Sequence, residues 1–178
     1  MVDNDRVRLF VGGTVGCSYT PSITMDYASN AGEVKFTAIT ISTAVYVGGV
    51  LGGFYAANND EKEWELTFTG LTNSGQIACW NNDAGDGGNL AAKSKNVTGY
   101  SYIGGISGVG DNYSKDFFNC TNTGRIAVYN QLKTRLGGVL GYTNHNPDGC
   151  ANYGRINYCR YNPMSNGGSG EIGGVVGY

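Results

Sequence analysis

Four times along the 178-residue chain, a short run alternates apolar and polar residues with a period of two. Val34 and Phe36, Ile77 and Cys79, Ile126 and Val128, and Ile156 and Tyr158 fall on one side. Glu33 and Lys35, Gln76 and Ala78, Arg125 and Ala127, and Arg155 and Asn157 fall on the other. Successive side chains of a strand point to opposite faces, so the pattern predicts four half-buried strands with the first set in the core. Five further segments are apolar at both parities and read as strands covered on both faces, with glycines that admit a neighbouring backbone or a large side chain. A third extended stretch, seen as Trp64-Leu66-Phe68 and as Phe117 to Cys120, brings the expectation to two or three strands per unit. Long 3.6-residue periodicity, which a helix would need, is missing.

These runs belong to one motif written several times. Each alternating run follows Asn-x-Gly, as Asn30-Gly32-Val34, Asn73-Gly75-Ile77, Asn122-Gly124-Ile126 and Asn152-Gly154-Ile156. Each segment of the other kind is Gly-Gly-x-x-Gly, beginning at Gly12, Gly48, Gly104, Gly137 and Gly173 and preceded by Val11, Val47, Ile103, Leu136 or Ile172. The two motifs alternate strictly, and the double glycines lie 36, 56, 33 and 36 residues apart. A unit of about 35 residues cannot bury its own apolar face, so neighbouring units must stack. In-register parallel stacking about 4.8 Å apart puts equivalent residues above one another and asks for the same residue type in every unit. The expected fold is therefore all-β: a right-handed parallel β-helix, or β-solenoid, of about four to five coils. It forms one repeat segment over residues 1–178, with a partial unit 1–17 and units at roughly 18–54, 55–110, 111–142 and 143–178. The recurring Asn suits an inward or stacked amide at a turn, and the Gly two residues later suits a bend with positive φ.

Composition sharpens this picture. Thirty glycines and nineteen asparagines suit turns and strands rather than helices. A net charge of −2 without Lys/Arg clusters argues against nucleic acid and an anionic membrane surface as partners. No apolar stretch approaches the roughly 20 residues that cross a bilayer, so membrane insertion is not expected. The five cysteines contain no C-x-x-C pair. Cys120 and Cys150 share one position, two before the Asn, where Ala28 and Leu71 stand in the other units; they read as small buried hydrophobes, with a mutual disulfide as the alternative in an exported chain.

Candidate chemistry is sparse. Asp83 and Asp86 lie in an Asn/Asp/Gly-rich turn within the long insertion, where a weak calcium loop is the functional reading and a solvated turn the structural one. Trp80, Tyr100 and Tyr102 flank that insertion and suit stacking on sugar rings, or closure of the side of the stack. No catalytic constellation is legible, and His145, the sole histidine, sits in a turn-forming stretch. No cofactor is expected beyond that calcium possibility.

The alternation of Asn-x-Gly-x-Ile with Gly-Gly-(Val/Ile)-x-Gly resembles the GLUG-motif repeats of bacterial cell-surface proteins, over nearly the whole chain. The Gly-x-x-Gly core matches at Gly13 to Gly16, Gly49 to Gly52, Gly105 to Gly108, Gly138 to Gly141 and Gly174 to Gly177. The first variable position departs, being Thr14, Val50, Ile106, Val139 or Val175 rather than Leu, and Ser107 replaces the second apolar residue. The resemblance implies a non-catalytic stalk or adhesive segment of a longer exported protein at the bacterial surface. Its expected partners are further copies or neighbouring repeats, surface glycans or a host protein. Alternatives are a carbohydrate-binding or carbohydrate-active β-helix and a self-stacking extracellular fibre subunit.

Overall fold

The computed structural model describes residues 8–18, 22–38, 44–54, 65–81, 100–108, 115–130, 133–144, 147–160 and 170–177. Among them every regular element is a strand and every strand pairing is parallel. The chain is all-β. The glycine pairs close the strands of one five-stranded sheet, β1 (Leu9–Gly12), β6 (Val45–Gly48), β11 (Tyr100–Gly104), β15 (Lys133–Gly137) and β18 (Gly170–Gly173), in that spatial order. The alternating runs form a second sheet of β5 (Val34–Ala38), β10 (Ile77–Asn81), β14 (Ile126–Asn130) and β17 (Ile156–Arg160). Two-residue strands β4 (Ser29–Asn30), β9 (Thr72–Asn73), β13 (Thr121–Asn122) and β16 (Ala151–Asn152) make a third. The remaining sheets are β3 (Ser22–Asp26), β8 (Glu65–Thr69) and β12 (Lys115–Phe118), and the pair β2 (Val15–Ser18) with β7 (Leu51–Phe54). Single parallel bridges carry this last pairing onward from Leu51 through Ser107 and Leu140 to Val176.

Register follows the motifs. Val34, Ile77, Ile126 and Ile156 align across the second sheet, Asn30, Asn73, Asn122 and Asn152 across the third, and Gly12, Gly48, Gly104, Gly137 and Gly173 across the first. The alternation places the core as expected. Val34, Ile77, Cys79, Ile126 and Val128 are buried against Val45, Val47, Ile103 and Leu136 of the first sheet, with Phe36, Ile156 and Tyr158 packed at the margin. Ala78 and Ala127, on the opposite parity, are buried as well. The other face of the first sheet meets a second core built on Leu51, Leu66, Phe68, Leu71, Phe117 and Leu140. Phe68 and Phe117 stack at 4.8 Å between centroids. A sheet covered on both faces is what the glycine-pair segments predicted.

Three expectations need correction. First, the Gly-Gly-x-x-Gly segment is a strand, a bend and a second short pairing, the bend so tight that a Cβ on Gly48 would collide with the Leu51 carbonyl only three residues on. Second, the glycine after each ladder Asn is not where φ turns positive. Among the described residues the left-handed ones are Tyr27 (57°), Gly70 (63°), Asn119 (52°) and Gly149 (62°), three positions before the Asn. Gly75, Gly124 and Gly154 are needed instead because the carbonyl of the preceding repeat's glycine lies where a side chain would go. Third, the described residues between 22 and 54 hold five strands, more than the two or three expected per unit, since the two-residue pairings at Asn are too short to leave a periodic trace.

Candidate functional site

Two features stand out once the register is known. One is polar and internal. Each ladder amide donates one N–H to the carbonyl of the glycine two residues on, at 2.8 Å for Asn30 to Gly32, 2.9 Å for Asn73 to Gly75, and 3.0 Å for both Asn122 to Gly124 and Asn152 to Gly154. The other N–H goes to the Oδ1 of the next Asn: Asn30 to Asn73 at 2.9 Å, Asn73 to Asn122 at 2.8 Å and Asn122 to Asn152 at 2.8 Å. The amides face the second glycine of each pair, and a Cβ on Gly13, Gly49, Gly105 or Gly138 would run into the side chain of Asn30, Asn73, Asn122 or Asn152 respectively. Motifs that alternate in sequence thus meet in space. Asn73 and Asn122 are fully buried, and such amides are tolerated only when their hydrogen bonds are made.

The other feature is aromatic and partly exposed. Phe10, Tyr46, Tyr102, Arg135 and Glu171 occupy one column of the first sheet. Phe10 stacks on Tyr46 at 4.8 Å and Tyr46 on Tyr102 at 4.9 Å, the rings nearly parallel at 12° and 8°. Beyond Tyr102 the guanidinium carbon of Arg135 lies over three rings, 5.2 Å from Tyr100, 5.7 Å from Tyr102 and 4.8 Å from Tyr142. Arg135 Nε donates to Glu171 Oε2 at 2.6 Å. Burial works against the charge on Arg135, but the hydrogen bond and charge of Glu171, with Tyr102 and Tyr100, outweigh it and raise its pKa above the usual value. Tyr142 donates its hydroxyl to Asn144 Oδ1 at 2.6 Å.

Of the residues singled out in the sequence, Tyr100 and Tyr102 fall in this cluster. Trp80 lies in β10, in a different sheet, aligned with Thr37 and Tyr129; its side chain, Asp83, Asp86 and His145 lie outside the described residues. Tyr46 covers one face of Tyr102 and Arg135 the other, so the ring is engaged internally. Arg135, Tyr46 and Glu171 escaped sequence reasoning, although each lies two residues before a glycine pair, and alignment on that pair would have found the column. Among the described residues no three His, Cys, Asp or Glu side chains gather into a metal-binding group. Comparison with protein-family models, with curated proteins and with solved structures gave no match.

Proposed function

We propose that the chain is a segment of a right-handed parallel β-solenoid of four to five coils, serving as a non-catalytic structural or adhesive element of an exported bacterial surface protein. The carrying observation is the asparagine ladder, which ties four repeats into one register through three successive amide contacts. A hydrogen-bonded column of identical residues is the device of a stacked repeat rather than of a substrate site, because every unit contributes the same group. The parallel pairing of equivalent strands supports the solenoid, and the right hand follows the general rule for parallel crossovers. The bacterial-surface assignment rests on the resemblance of the two motifs to GLUG repeats.

The aromatic column favours support over recognition, since its rings spend their faces on one another and on Arg135. Incubation of the chain with a panel of polysaccharides, with and without calcium, tests this reading. The expected result is no product release; release abolished by Asp83→Ala would replace it with a carbohydrate-active β-helix.

A further inference from the structure

The left-handed residues Asn119 and Gly149 each turn the chain just before a cysteine, and they do so at the same place in two adjacent repeats. Thr121 and Ala151, the next residues, are register partners, and the Ala151 N–H donates to the Cys120 carbonyl at 2.9 Å. Neighbouring parallel strands are about 4.8 Å apart, inside the Cα range that a disulfide spans. The sulfurs face the same narrow space. The Cys120 N–H donates to Cys150 Sγ at 3.4 Å, Cys150 Sγ lies 3.5 Å from the Phe117 carbonyl, and Cys120 Sγ lies 3.4 Å from that of Phe118. Both are free thiols. Cys120 is completely buried, whereas Cys150 is only partly covered.

We propose that Cys120 and Cys150 are a reactive dithiol site that undergoes exchange with low-molecular-weight disulfides and closes into an intramolecular disulfide. Cys150 is the attacking residue because a reagent can reach it. Hydrogen bonds from the Cys120 thiol and the Cys120 N–H favour its thiolate, outweighing partial burial and the charge of Asp148, and lower its pKa to about 7. Burial raises the exposed Cys17, and raises Cys79 to about 12. The Cys150 thiolate attacks one sulfur of R–S–S–R, forming Cys150–S–S–R and expelling RS⁻, which takes up a proton. Cys120 then releases its proton as its sulfur attacks Cys150 Sγ, expelling the second thiol. Two cysteines are oxidised, and one small disulfide is reduced to two thiols.

The test is timed incubation of the reduced chain with glutathione disulfide at neutral pH, followed by alkylation and peptide mapping of all cysteines. The expected product is a Cys120–Cys150 disulfide formed about tenfold faster than any adduct on Cys17, an advantage that vanishes in denaturant. Cys120→Ala, which places the residue found at Ala28, should retain the glutathione adduct on Cys150; Cys150→Ala should leave Cys120 unmodified. A glutathione adduct on Cys150 that persists in the unsubstituted chain overturns the proposal. So does a map in which Cys120 and Cys150 remain reduced while Cys17 reacts.

Discussion

At the scale of the residue, the fold depends on a few positions where only one side chain fits. Asn122 receives the Asn73 amide and donates to Asn152 and to the Gly124 carbonyl while fully buried. Asn122→Ala therefore strands the Asn73 N–H and the Gly124 carbonyl, whereas Asn152 Oδ1 keeps the Gly154 N–H at 3.2 Å. At about 1–3 kcal/mol for each buried unsatisfied group, a loss of roughly 3 kcal/mol is expected in denaturant titration. The glycines split by environment. Gly105→Ala would overlap the Gly138 carbonyl and the Asn122 side chain, whereas a Cβ on Gly174 meets nothing within 4 Å. The first substitution should cost at least about 2 kcal/mol and the second less than about 0.5 kcal/mol, measured by the same titration. Cys150 provides a pH signature. Its lowered pKa means that the thiolate is present above about 7 and lost below it, so its alkylation rate should rise through pH 7 and level off, while that of Cys17 continues to climb beyond pH 9.

Strands and sheets divide into those the sequence announces and those it hides. Period-two alternation marks β5, β10, β14 and β17 because one face carries the large apolar residues and the other polar residues or a small Ala78 or Ala127. The two-residue strands around Asn30, Asn73, Asn122 and Asn152 are too short for any period, and their existence is implied only by the recurrence of the Asn itself. The left-handed corners escaped because Tyr27 and Asn119 occupy a conformation ordinarily signalled by glycine, which appears there only as Gly70 and Gly149. The aromatic cluster is half legible: Tyr100 and Tyr102 are visible beside the insertion, but Arg135 joins them only through the pairing of β11 with β15. The Arg135–Glu171 pair is partly exposed, with side-chain exposures of 17% and 34%. Glu171→Gln should accordingly cost less than about 1 kcal/mol in thermal unfolding, a difference that shrinks as salt is added. Phe68→Ala, by contrast, removes a completely buried ring stacked on Phe117 and should cost about 3–5 kcal/mol in the same assay.

For the whole molecule, the organising fact is that equivalent residues of successive repeats pair, so contacts run between neighbours rather than across the chain. In such an array stability is approximately a sum of unit and interface contributions. Deleting residues 105–137, one complete interval between glycine pairs, joins Gly104 to Gly138 and preserves every column. The shortened chain should keep its β-sheet circular dichroism with a lower melting temperature; loss of that spectrum would contradict modular pairing. The amide row adds a vectorial property. From Asn30 to Asn152 every dipole points the same way, each nitrogen toward the following oxygen. Two such rows joined head to head would set N–H against N–H, and tail to tail would set oxygen against oxygen. Any segment that prolongs the row must therefore travel in the same sense, so growth by this chemistry is polar, with a donating end and an accepting end that are not interchangeable.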